Sequence, residues 1–229
     1  FAIEALDKAI QLDPSNAEAF MWRGAIRLQN KEITKALENL NKAISLNKES
    51  SRAYSLRSLA YNEQYDLKNA KADVEKAIQL NANDGYTLWA SSVQKYRSHQ
   101  YKEALTDILK SVLQTPNHAE ILAFRSLLKT INGNPTDAIN DALLVQKLFP
   151  SSPLGDIAMG FASIKLKKLS DAQFQFQAAL NKDSISLLAL SGLSNADIEL
   201  QDLKTAHALA DKAVELYSFE PLAWASRAK

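Results

Sequence analysis

Small and apolar residues recur along this chain at a spacing of 34 residues, without a gap or an insertion. When Ala17 is taken as position 1 of a repeat, position 20 is alanine in every window: Ala2, Ala36, Ala70, Ala104, Ala138, Ala172 and Ala206. Position 27 is also short in every window, and its residues are Ala9, Ala43, Ala77, Ser111, Val145, Ala179 and Ala213. Positions 20, 24, 27 and 28 lie on one face of a helix with 3.6 residues per turn. The pattern therefore predicts a helix at the same place in each repeat, packed closely through its short side chains.

Each repeat is expected to form two helices, the first at about positions 2–14 and the second at about positions 18–31. Position 8 of the first helix is glycine or another small residue in every repeat: Gly24, Ser58, Ser92, Ser126, Gly160, Ser194 and Ala228. A larger side chain at such a close contact would overpack it, at a cost of roughly 1–3 kcal/mol. Complete repeats are predicted at 17–50, 51–84, 85–118, 119–152, 153–186 and 187–220, with a half-repeat at 1–16 and a partial repeat at 221–229. Because both end segments lack a partner helix, we interpret the chain as a fragment of a longer array.

This pattern resembles the tetratricopeptide repeat, in which each unit is a helix–turn–helix. The resemblance rests on a large residue at position 4, a small one at position 8, alanine at position 20 and a bulky residue at position 24. Position 4 carries Phe20, Tyr54, Leu88, Leu122, Leu190 and Trp224, whereas Asp156 departs from the pattern. The resemblance implies one array over residues 1–229, an all-α, right-handed superhelical solenoid. It also implies a protein-interaction scaffold without catalytic activity.

Positions 7 and 23 change together from one repeat to the next. Arg57 is accompanied by Asp73, and Arg125 by Asp141, each pair sixteen residues apart. In the repeats at 153–186 and 187–220, position 7 is apolar and position 23 has no carboxylate. A guanidinium and a carboxylate satisfy each other's hydrogen-bonding groups, so we expect an ion pair across the hairpin wherever both are present.

Composition and charge remove several classes of function. The net charge is +1 at pH 7, so no overall field favours nucleic acid or an anionic membrane surface. The chain has no cysteine, and its three histidines occupy unrelated repeat positions, so neither a metal site nor a cofactor is expected. It contains no phosphate-binding glycine loop and no hydrolase or zinc-protease motif. Its apolar runs are too short for membrane insertion. The compartment is not indicated, and a cytoplasmic location is only the default expectation.

The tetratricopeptide resemblance places a binding groove on the concave face, at positions 2, 5, 9, 12 and 13 of the first helices. These positions are unusually apolar in the repeats at 85–118 and 153–186. The predicted peptide-binding groove consists of Tyr86, Trp89, Val93, Tyr96, Arg97, Leu127, Leu154, Ile157, Phe161 and Ile164. Aromatic and aliphatic side chains with cations at their edge suit an extended or helical peptide, so a peptide or protein partner is expected. Trp89 and Tyr96 are the first candidates for dominant contacts.

Other interpretations of the same residues stay open. Val93, Leu127 and Ile164 equally suit a core between consecutive repeats. An exposed apolar surface can also pair two copies of the chain, which makes a homo-oligomer a second hypothesis. A third is that the chain is the regulatory array of a larger enzyme.

Overall fold

The computed structural model of the chain describes residues 2–218 and 221–228, which form fourteen α-helices and no strand. The helices are α1 (Ala2–Leu12), α2 (Ala17–Gln29), α3 (Ile33–Leu46), α4 (Ser51–Glu63), α5 (Leu67–Asn81), α6 (Gly85–Arg97), α7 (Tyr101–Gln114), α8 (Ala119–Ile131), α9 (Pro135–Leu148), α10 (Leu154–Lys165), α11 (Leu169–Lys182), α12 (Leu187–Glu199), α13 (Leu203–Leu216) and α14 (Pro221–Arg227). The predicted all-α class is confirmed. The predicted repeat ends at Phe1, at 219–220 and at Lys229 lie outside the described residues.

Consecutive helices form the hairpins that the repeat pattern predicts. The chain divides into two compact units, Phe1–Thr115 and Pro116–Lys229. In the first unit, α2 pairs with α3, α4 with α5 and α6 with α7; in the second, α8 pairs with α9, α10 with α11 and α12 with α13. Most helices begin and end one residue earlier than predicted, at repeat positions 1–13 and 17–30.

The short residues of the second helices are buried at the helix contacts. From α3 to α13, the residues at positions 20 and 27 are at most 3% exposed. In four hairpins, position 24 contributes a large buried side chain between them, among which Leu40, Ile108 and Phe176 are fully buried; in the other two it is Ala142 and Ala210. Burying an aliphatic or aromatic side chain of this kind stabilises the fold by roughly 1.5–3 kcal/mol each.

A serine hydroxyl joins the two helices of four hairpins. At position 8, the serine Oγ donates a hydrogen bond to the carbonyl oxygen of the alanine at position 20. The four bonds are Ser58–Ala70 at 2.8 Å, Ser92–Ala104 at 2.7 Å, Ser126–Ala138 at 2.8 Å and Ser194–Ala206 at 3.0 Å. In these four hairpins, the serine at position 8 therefore allows close packing and also joins the two helices by a hydrogen bond to a backbone carbonyl.

Each hairpin turns through a residue in the left-handed region at position 15. These residues are Lys31, Tyr65, His99, Gly133, Lys167 and Gln201, with φ between 57° and 89°. The next residue donates its N–H to the carbonyl five residues earlier, as Glu32 does to Arg27 at 2.9 Å and Asp202 does to Asp197 at 2.9 Å. This is the Schellman end of a helix, which favours glycine at the left-handed position. Only Gly133 meets that preference, so the hairpin packing imposes the conformation on the other five residues.

Phe176 on α11 fills the space that two glycines leave in the second unit. Its ring is fully buried between Gly160 on α10 and Gly192 on α12. A Cβ atom on Gly160 would lie 2.7 Å from Cε1 of this ring, and a Cβ atom on Gly192 would lie 2.8 Å from its Cδ1. Neither glycine can therefore gain a side chain unless the ring moves.

Candidate functional site

In the first unit, the predicted groove residues lie along α6 and are half-buried. The Tyr86 ring meets the Trp22 ring edge-on at a centroid distance of 5.8 Å, and its centre lies 6.3 Å from that of the Trp89 ring. Trp22 belongs to α2, two repeats earlier, and was not among the predicted groove residues. Position 5 of the intervening helix α4 is the fully buried Ser55 rather than a large residue. We call Trp22, Tyr86 and Trp89 the aromatic face.

A cation borders the aromatic face. The Arg52 guanidinium on α4 lies 5.9 Å from the centre of the Tyr86 ring, within the range of a cation–π contact. Its Nε donates to Asp84 Oδ2 at 2.8 Å. Asp84 is buried, and its other oxygen accepts the N–H of Tyr86 at 3.0 Å as the N-cap of α6. One carboxylate thus orients both the arginine and the start of the helix that carries Tyr86.

Tyr96 and Arg97 lie at the other end of α6, beside the turn into α7. The Tyr96 ring packs 5.7 Å from the Tyr101 ring, and its burial raises the pKa of the Tyr96 hydroxyl. Arg97 donates to the carbonyl oxygen of Asn62 at 3.0 Å and lies 5.2 Å from the centre of the Tyr65 ring. These contacts attach the end of α6 to the preceding hairpin.

In the second unit, four of the five predicted groove residues are half-buried: Leu127, Leu154, Phe161 and Ile164. Ile157 is only 5% exposed and belongs to the core around Phe176, against which Phe161 and Ile164 also pack. The Phe161 ring meets the Phe176 ring edge-on at 5.1 Å. This face is aliphatic and continuous with the core, in contrast to the aromatic face of the first unit.

The arginines at position 7 form the expected ion pairs. Arg57 donates from Nε and Nη2 to the two carboxylate oxygens of Asp73, at 2.7 and 2.8 Å. Arg125 Nε donates to Asp141 at 2.9 Å. The same arginine also reaches back to the preceding repeat, since Arg57 Nη1 donates to Asn41 at 2.7 Å. These side chains link three helices and are structural, which separates them from the candidate binding face.

Within the described ranges 2–218 and 221–228, no group of three or more histidine, aspartate or glutamate residues is placed to hold a metal ion. Across the same part of the chain, no helix is both long and apolar enough to cross a membrane.

Comparison with known proteins gives a family match and a fold match. Residues 2–50 and 51–84 match two sequence models described as tetratricopeptide repeats. A search of curated protein sequences gives no match. Tetratricopeptide arrays typically serve as protein-interaction scaffolds, and this general class is the one that the sequence match supports.

Solved structures share the fold at low sequence identity. One chain of the APC/C hetero-tetramer Cut9–Hcn1 aligns with 98% of this chain at 12% identity and a TM-score of 0.72. The aligned part is only 44% of the length of that chain. A tetratricopeptide repeat protein from Parabacteroides merdae aligns with 99% of this chain and 90% of its own, at 14% identity and a TM-score of 0.66. The pilF protein of Pseudomonas aeruginosa aligns with 94% of this chain and 98% of its own, at 17% identity and a TM-score of 0.58. The tetratricopeptide resemblance is thus confirmed, since residues 2–84 match the family by sequence and the chain has the fold of a tetratricopeptide solenoid.

Proposed function

We propose that this chain is a non-catalytic scaffold that binds an extended or helical peptide segment of a partner protein on the exposed side of its first helices. The observation that carries the proposal is the aromatic face of the first unit. The Tyr86 ring contacts both the Trp22 ring and the Trp89 ring, and none of the three is fully buried. Tryptophan and tyrosine are the residues that most often dominate binding energy at protein interfaces.

The aromatic face is held in place before any partner arrives. Trp89 packs against the small core of Leu59, Val74 and Ala90, and Tyr86 packs against the core that contains Leu56. Asp84 caps the helix beneath Tyr86 and orients Arg52. A face fixed in this way loses little conformational freedom on binding, so more of the interaction energy contributes to affinity.

The residues of the face suggest how a peptide would be recognised. The half-buried rings offer apolar contact area for side chains of the peptide, and the guanidinium of Arg52 at the edge offers hydrogen bonds to its carbonyl or carboxylate oxygens. Tyr96 and Arg97 extend the face towards the other end of α6. In the second unit, Leu154, Phe161 and Ile164 supply a separate aliphatic surface for the same purpose.

The proposal is tested by selecting short random peptides from a display library on the immobilised chain. The test variant is Trp89→Ala combined with Tyr96→Ala, and circular dichroism first establishes that it is folded. The control variant is Leu113→Ala, which removes an 83% exposed side chain from α7 in the same unit. We expect the wild type and the control to enrich the same peptides and the double variant to lose them.

If the folded double variant enriches the same peptides with the same affinity, the aromatic face is not part of the binding site. A second variant, Arg52→Ala, leaves the rings in place and removes the cation at their edge. We expect it to weaken binding of peptides with acidic residues more than binding of neutral ones, because the lost interaction is charge-assisted.

A further inference from the structure

The hairpin of α10 and α11 lacks the ion pairs that join the two helices of the preceding hairpin. A depression lies at the corresponding positions. In the hairpin of α8 and α9, positions 7, 11 and 23 are Arg125, Lys129 and Asp141, and both cations bind the carboxylate. In the hairpin of α10 and α11, the same positions are Met159, Ser163 and Gln175. These three residues line a depression of about 180 Å³, together with Ile139, Lys168, Asp171 and Phe174.

The depression is separate from the proposed peptide-binding face. Successive residues of a helix are rotated by about 100°, so positions 7 and 11 of α10 point to nearly the same side. Positions 5, 9 and 12, which are Ile157, Phe161 and Ile164, point to roughly the opposite side of α10. A ligand of the depression therefore does not compete with a peptide on the predicted groove residues of this unit.

A large apolar side chain projects beside the depression. Phe174 on α11 lines its rim and is 71% exposed. Leu143 on α9, at position 25, is 50% exposed. In two earlier repeats, position 25 is a polar residue that binds the arginine of the next repeat: Asp7 binds Arg23 and Asn41 binds Arg57. The exposed Leu109 on α7 is also apolar at this position. Ile139, Met159 and Phe174 give the lining of the depression its apolar part.

We propose that the occupant of the depression is Phe174 of a second copy of the chain, in a two-fold symmetric dimer. In such an interface the same patch serves both copies, so it must contain a projection and a hollow that fit each other. The depression is smaller than the roughly 300–1,000 Å³ of a small-molecule site and suits a single side chain. The rim is also self-complementary in charge, because two-fold symmetry can place the exposed Lys168 of each copy against the exposed Asp171 of the other.

The interface is small, so the dimer is expected to be weak and to depend on concentration. A stable interface buries about 800 Å² on each partner, and one ring with its surrounding residues covers less than that. Dimerisation should therefore be measured by sedimentation equilibrium over a wide range of protein concentration.

The first test compares the wild type with Phe174→Ala. Because this side chain is mostly exposed, its removal leaves the fold intact, and the dissociation constant should rise about tenfold or more. Leu113→Ala is the matched control, since it removes an even more exposed apolar side chain from a second helix of the other unit. We expect the control to leave the dissociation constant within about twofold of the wild type.

The second test uses charge reversal and is specific to a two-fold interface. Lys168→Glu and Asp171→Lys should each weaken self-association, because each creates two like-charge contacts. An equimolar mixture of the two variants should associate again, because both contacts in the mixed dimer then join opposite charges. A wild type that stays monomeric at every concentration, or a mixture that associates no better than its components, would overturn the proposal.

Discussion

The Gly192→Ala substitution tests whether the packing around Phe176 excludes a side chain at position 192 of α12. In an exposed helix, replacing glycine by alanine stabilises by roughly 0.5–1 kcal/mol, because alanine loses less conformational freedom on folding. At Gly192, the new Cβ atom would lie 2.8 Å from Cδ1 of the Phe176 ring and closer still to Cε1 and Cζ. Carbon atoms in contact are normally about 3.5–4.0 Å apart, so the ring would have to move by more than half an ångström.

The ring is fully buried, so any movement must displace its neighbours. Gly160 on α10 also contacts the ring, and a Cβ atom there would lie 2.7 Å from Cε1 and from Cζ. The ring is also surrounded by the core residues Ile157, Leu190 and Leu193. Overpacking a core of this kind costs roughly 1–3 kcal/mol, and the confined ring places this site at the upper end. After the helix-propensity gain is subtracted, we expect a net loss of about 2 kcal/mol.

The measurement is a double-mutant cycle on the free energy of unfolding. Unfolding in denaturant is monitored by circular dichroism. Leucine at Phe176 occupies less space, so Gly192→Ala in a Phe176→Leu background should be neutral or stabilising by up to about 1 kcal/mol. The coupling energy between the two sites should then be about 2–3 kcal/mol. Hydrogen exchange shows whether the loss of stability is confined to α11 and α12 or extends to their neighbouring helices. The same loss in both backgrounds would refute the steric explanation.

Three further predictions concern ion pairs, turns and a buried acid. Removing either side chain of the Arg57–Asp73 pair should lower the free energy of unfolding by about 2–3 kcal/mol, because each change leaves a largely buried partner unpaired. The double variant Arg57→Leu, Asp73→Leu should lose less than the sum of the two single changes. Gln201→Gly should stabilise the fold by about 1 kcal/mol, because Gln201 has a φ of 67°, in the left-handed region that favours glycine. Gly133→Ala should destabilise it by a similar amount, and thermal melts of both variants check the sign. Burial raises the pKa of the Asp197 carboxyl above its ordinary 3.8, so the folded state loses stability as pH rises through that raised pKa. Asp197→Asn should therefore be more stable than the wild type at neutral pH, and the difference in stability should vanish below pH 3.8.

The contacts within a single repeat could largely be predicted from the sequence. The 34-residue spacing places the buried alanines, the hairpins and their turns within one residue of where the structure has them. The Arg57–Asp73 pair was also predictable, because its two members vary together between repeats. Of the predicted groove, the half-buried state of Trp89 and Tyr96 is compatible with binding, whereas the burial of Ile157 reflects the core.

Contacts that cross from one repeat to another were harder to predict. Trp22 and Tyr86 belong to two repeats that are not consecutive, and the repeat spacing alone does not predict that their rings meet. The ring of Phe176 likewise depends on glycines in its own repeat and in the next one.

By itself, the sequence determined the repeat, its two helices and the side chains that share a face, because a helix places residues at a known angle along one chain segment. Only the tertiary structure decided which faces stay open to solvent. The depression beside Phe174 exists because Met159 and Gln175 do not reach across it as an arginine and an aspartate do elsewhere. Such a gap depends on how side chains from three helices fill a shared volume, and that volume is set by packing in three dimensions rather than by spacing along the chain.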